Sequence, residues 1–181
     1  MALETWQIDP VHSCIHFSIP HFAVSKIHGR FTKWGGTLQL DEAHPAASTV
    51  EVQIDAASVD TNEANRDNHL RGADFFDIAN HPQITFKSSK VEPEGANKYR
   101  VTGDLTIRGI SRPMVLAVES GGKVKDPWGN NRGGFSLAGK IDRKDFGISF
   151  HQVMEAGGLL LGDTVTFSID VEAVKAASAA A

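Results

Sequence analysis

Hydrophobic residues recur at every second position along this chain. In TVTFSIDVEA, Val165, Phe167, Ile169 and Val171 fall on one phase, while Thr164, Thr166, Ser168, Asp170 and Glu172 fall on the other. Side chains alternate across a strand, so this spacing predicts strands with one dry and one wet face. The same alternation marks TVEVQID (Val50, Val52, Ile54), QITFKS (Ile84, Phe86), YRVTGDLTIR (Tyr99, Val101, Leu105, Ile107) and FSLAGKI (Phe135, Leu137, Ile141). HSCIHFSI (Ile15, Phe17, Ile19), TLQL (Leu38, Leu40) and MVLAV (Met114, Leu116, Val118) bring the count to eight segments. Turn-rich stretches such as EPEGAN, RGISRP, SGGK and DPWGNN punctuate them.

Eight amphipathic strands with little helix must bury eight apolar faces, which a two-sheet sandwich or a closed barrel achieves. Several segments span about ten residues, roughly 30 Å of strand. Long strands around a ring of eight leave room inside for one ligand. Phe31 lies on the odd phase and Leu38 and Leu40 on the even one. A bulge or bend at Gly35-Gly36 reconciles the two, and barrels curl at such bends. Gly103 and Gly139 interrupt apolar faces, leaving bare backbone for a neighbouring chain or a ligand to approach. The expected fold class is all-β, an eight-stranded antiparallel barrel.

Two stretches break the period. PHFAVSK reads as a short helical turn near residues 20–26 carrying Phe22 and Val24. TNEANRDNHLRG reads as a helix near residues 62–72, with Thr61 as its cap, Glu63 in the first turn and Gly72 ending it in left-handed geometry. Its apolar stripe is only Ala64 and Leu70, too thin for a core helix. It is expected to lie across an end or seam of the barrel, lowering Leu70, Phe75 and Phe76 onto the opening.

A chain of 181 residues fits one domain, read as a barrel over residues 1–174 and a flexible tail over 175–181. Ten phenylalanines against one tyrosine suit a dry interior, because phenylalanine brings bulk without a polar tip. A net charge of −4 without a basic stripe argues against nucleic acid. No apolar run reaches the length of a membrane-spanning helix, the first twenty residues lack the plan of a secretory signal, and Cys14 has no cysteine to pair with. The expected location is the cytoplasm.

A strand would place His12, Cys14 and His16 on one face, and these are ligand types for zinc or copper. That face lies opposite Ile15 and Phe17, hence outward, and no fourth ligand follows at a recognisable spacing; no metal is expected. Arg66, Asp67, His69, Asp74 and Asp77 crowd one stretch, RDNHLRGADFFD, and histidine titrates near neutral pH. A solvated, salt-bridged helix face has the same composition. No nucleophile with a positioned base and no phosphate- or dinucleotide-binding glycine motif is legible, so no catalytic residue is expected. Phe75-Phe76 reads equally as core packing and as pocket contact.

Longer motifs carry a resemblance. WQIDPVHSCIHFSIPH, RDNHLRGADFFD, HPQITFKSS, YRVTGDLTIRGISRPMVL, KDPWGNNRGGFSLAGKIDRKDFGI and the last strand, in that order, resemble the YceI-like family over about residues 4–174. Pro20 stands where relatives often have a polar residue. The resemblance implies a lipocalin-like barrel that binds a polyisoprenoid, an isoprenoid quinone, or a fatty acid or amide, for storage or transport, with no cofactor. It implies a tunnel lined by Phe17, Ile19, Phe31, Leu38, Ile54, Phe86, Leu105, Leu137 and Phe167. Phe22, Leu70, Phe75, Phe76, Phe146 and Phe150 would crowd one mouth, with Arg66 and His69 as head-group contacts. Outward Val115 and Ala117 suit a homodimer edge. Two alternatives stand beside this reading: an enzyme acting on an apolar substrate with His69 and Asp67 as acid–base pair, and an interaction module whose barrel is a filled core.

Overall fold

The computed structural model describes residues 3–152, 154, 155, 157 and 160–177. In chain order it forms β1 (Glu4–Ile8), β2 (Cys14–His21), β3 (Ser25–Phe31), β4 (Trp34–Leu40), β5 (Thr49–Asp55) and β6 (Val59–Asp60). One helix follows, α1 (Ala64–Arg71), and then β7 (Gln83–Pro93), β8 (Lys98–Ile107), β9 (Ile110–Lys125), β10 (Asn131–Asp142) and β11 (Thr164–Lys175). Residues 178–181 of the expected tail lie outside the described residues, and Lys175 still belongs to β11. Among the described residues no helix is long and apolar enough to cross a membrane.

Eight strands close a ring in the order β1-β4-β5-β7-β8-β9-β10-β11, with β11 returning to β1, and the pairs are antiparallel. β1 is a ring strand that the periodicity did not mark, because its five residues show only Trp6 and Ile8 on the inward phase. β11 is long enough to serve two partners along one edge: Ala173–Lys175 pair with β1, and Thr166–Asp170 pair with β2. Between them the chain leaves the sheet at Pro10, which has no N–H to donate. Ser13 fills the gap: its hydroxyl donates to Glu172 O and accepts from Glu172 N. At that end of the barrel the wall continues β2-β3-β6.

Three expectations change. The stretch near residues 20–26 is not helical: β2 and β3 pair from Ile15↔Phe31 to His21↔Ser25, joined by a tight turn with Phe22 at φ 54° and Ala23 at φ 57°. Two positive φ values match the twist of the flanking strands, which a helical turn would splay. The phase change expected at Gly35-Gly36 occurs earlier, at Thr32-Lys33, where β3 ends and β4 begins with the buried Trp34. There Thr32 N bonds Ser58 O and Asp55 N bonds Lys33 O, so the neighbouring chain bends in step.

The helix is two turns rather than three, and its ends differ. Glu63 is the cap, its carboxylate accepting from Asn65 N and Arg66 N. Thr61 instead donates its N–H and hydroxyl to Asp67. Gly72 sits at φ −77°, ψ 178°, ordinary extended backbone. A helix this short and polar has little stability of its own; side chains pin it. Arg66 Nε donates to Thr61 Oγ1 and Nη2 to Thr61 O, while Arg71 Nε and Nη2 donate to Ala57 O and Val59 O. The helix therefore lies against β6, as the expected seam cover.

Candidate functional site

Inward-facing residues of a filled barrel are buried by one another at the axis. Here Met114, Leu116 and Val118 of β9, Phe135, Leu137 and Ile141 of β10, and Val165, Phe167, Ile169 and Val171 of β11 alternate with exposed neighbours yet remain only half-buried. Their inner surface faces empty space. A cavity of about 780 Å³ runs inside the ring, toward the upper end of the range of ligand pockets. The filled-core alternative therefore fails on geometry.

Around the wall, Phe17, Ile19 and Phe31 come from β2 and β3, Leu38 and Ile54 from β4 and β5, and Phe86 and Leu105 from β7 and β8. Leu137 and Phe167 complete the expected lining, so these positions converge on one hollow. Sequence reasoning did not nominate Trp34, Val101, Met114 or Leu116, which also reach it. The inward phase that marks β8 and β9 as strands was the signal for the last three. His21, within the stretch expected to be helical, and Ile27, just beyond it on β3, reach it as well.

One end is roofed by aromatic side chains. A short 3-10 turn over Arg143–Phe146 begins where Asp142 accepts from Lys144 N and ends at Gly147 in left-handed geometry; it drives Phe146 inward to 3% exposure. Phe75 and Phe150 meet at a tilt with ring centres 5.2 Å apart, Phe31 and Phe76 meet edge to face at 5.7 Å, and Leu70 packs against the same cluster. Phe22 departs from the expected group: it sits on the β2–β3 turn, 42% exposed, against His21 rather than the cavity. Val115 and Ala117 lie exposed on the outer face of β9.

Polar groups border the apolar middle at both ends. At the roofed end Arg66 and His69 reach the cavity. The His69 ring stands edge-on to Phe75 and Phe150 at 5.0 and 4.9 Å, and Nε2 lies 2.8 Å from Asp74. The acid–base pairing of His69 with Asp67 is not formed, because Asp67 is buried and Oδ1 is occupied by Thr61. At the opposite end Asp41, Ser48, Asn97 and Lys123 border it. Backbone N–H groups of His44 and Ala43 hold the Asp41 carboxyl below the usual range, so it stays ionised at that rim.

His12 precedes β2 and so does not share a strand face with Cys14 and His16. It joins Asp9 and Glu172 in a group whose ligand atoms lie within 4.8 Å of one another. Arg132 Nη1 already binds both carboxylates, so a guanidinium bridges the two acids of the cluster.

A family model described as the YceI-like domain matches residues 6–173. Protein YceI of Escherichia coli O157:H7 is 45% identical over 137 residues, covering 76% of this chain and 71% of that protein. Among solved structures, Burkholderia cenocepacia BcnA superposes with a TM-score of 0.80 at 25% identity, covering 91% of this chain and 98% of that one. A Saccharophagus degradans domain described as polyisoprenoid-binding superposes at 0.66 with 17% identity, covering 94% of this chain and 98% of that one, a likeness of fold.

Proposed function

Because this chain belongs to the YceI-like family, we propose that its barrel takes up one long apolar molecule, an isoprenoid or fatty chain, and carries it without reacting with it. The observation that carries this reading is the hollow interior, whose apolar wall is left half-buried by the side chains that form it. The description of the Saccharophagus degradans domain as polyisoprenoid-binding supports an isoprenoid as the first candidate. Arg66 and His69 at one end and Lys123 at the other are the groups we assign to a polar head.

The energetics limit how such a carrier works. At about 30 Å³ for a methylene-sized unit, the liquid volume of a water molecule, the cavity receives about 25 carbons. Moving about 25 carbons from water gains about 20 kcal/mol at about 0.8 kcal/mol each, already at the ceiling of noncovalent binding, roughly 18–21 kcal/mol. Such a chain waits in a membrane rather than in water. Between bilayer and pocket the transfer energy nearly cancels, so shape and the head group decide loading.

Organic extraction of the purified protein followed by mass spectrometry tests the reading: a bound long-chain lipid is expected. Leu137→Asp, which sets a charge on the lumen wall, is expected to lower occupancy by about tenfold or more while circular dichroism shows the barrel intact. A protein that emerges empty and ignores added prenyl and fatty lipids overturns it.

A further inference from the structure

Glycine weakens a strand interior, yet Gly29 and Gly139 occupy inward positions, Gly29 between Ile27 and Phe31 and Gly139 between Leu137 and Ile141. The strand register puts them in one row. Gly29 lies opposite Phe17, Phe17 opposite Phe167, and Phe167 opposite Gly139, across β3, β2, β11 and β10. Neither glycine reaches the cavity, whereas both phenylalanines do. The rings lie over the glycines. A Cβ built on Gly139 falls 2.5 Å from Phe167 Cζ, and one on Gly29 falls 2.8 Å from Phe17 Cε1 and nearer still to Cζ. In both cases the nearest atoms it meets belong to the ring, not to backbone. Gly103 differs, since its added Cβ also collides with the backbone of Lys87 and Ser88.

Two rings at the same height thus lean apart and flatten against the wall, each seated where a side chain is missing. From this we infer that Gly29 and Gly139 set the bore of the tunnel, making it wide enough for a methyl-branched isoprenoid chain. The inference rests on the proposed binding of an apolar chain and specifies which chain. A methyl group at either position expels the ring from its seat, and the remaining rotamers carry it toward the axis. A branched chain is thicker at every methyl than a straight polymethylene, so the narrowed bore stops it first.

The test compares wild type, Gly29→Ala and Gly139→Ala, titrated with a polyprenyl alcohol and with a saturated straight-chain alcohol of equal carbon number, folding being checked by thermal unfolding. Each variant is expected to lose about tenfold or more in affinity for the polyprenyl alcohol and less than about threefold for the straight one. Phe167→Leu supplies the second arm. Without the ring, Gly139→Ala has nothing to displace, so the double variant is expected to bind the polyprenyl alcohol as Phe167→Leu does. A double variant much weaker than Phe167→Leu, or single variants that keep wild-type preference between the two alcohols, overturn the bore assignment alone. Wild type that takes up neither alcohol overturns the binding reading and this inference together.

Discussion

Arg143 is 3% exposed, and its guanidinium meets four acceptors: Gly162 O, Ile148 O, Phe150 O and Asp163 Oδ1. It ties the segment after β10 to the start of β11 and so holds the roof of the cavity. Removing it strands carbonyls that the fold has withdrawn from water. Arg143→Met is expected to destabilise the protein by about 2–4 kcal/mol, with hydrogen exchange at Ile148 and Phe150 rising before that of the strands. Residue identity announced little of this, because an arginine in RKDF looks like any surface charge. The stretch RDNHLRGADFFD misleads in the opposite direction. Its charges suggest catalysis, but Arg66, Asp67 and Arg71 all bond to residues 57–61 and tether the helix, Arg66 while also reaching the cavity.

At the scale of the element, α1 depends on its cap and its tethers more than on burial. Glu63→Ala removes the acceptor for Asn65 N and Arg66 N and is expected to cost about 1 kcal/mol in urea unfolding. Thr61→Val leaves Asp67 without the hydroxyl donor inside the seam and is expected to cost more than Glu63→Ala. The helix itself was legible from the break in the two-residue period, while its cap was not: Thr61 and Glu63 both stand at its start, and the buried Asp67 claims Thr61. The β2–β3 turn was misread for a related reason. Phe22 and Ala23 are poor residues for positive φ, and only the pairing of the two strands imposes it there.

Across the whole molecule, the ring closes where β11 meets β1, and a charged strap spans that region. Arg132 of β10 binds Asp126, Asp9 and Glu172. A hydrogen bond from His12, with others from Arg132 and Val11 N, holds Asp9 down at about 2, against the opposing effect of burial. Arg132, with Asn130 and Trp128 N, pulls Asp126 lower still. Both folded values lie below the ordinary 3.8. The stabilisation is therefore complete above 3.8 and drains away as pH falls through the folded values. The melting temperature is expected to drop between about pH 4 and pH 2, and less steeply in Arg132→Gln, whose baseline is lower. An identical pH slope in that variant overturns the assignment of the strap.

What the sequence determined by itself is the direction in which each strand's side chains face, since alternation is a local property of extended backbone. From Val50, Phe86, Leu137 and Phe167 that phase alone was enough to sort wall from surface. Whether the inward faces meet or leave a hollow is decided by the number of strands in the ring and their stagger, which no single strand encodes. The tertiary structure alone also decided what Gly29 and Gly139 are for. In the chain they are gaps in an apolar face; in the barrel the register sets a phenylalanine beside each, and the gap becomes a seat for the ring.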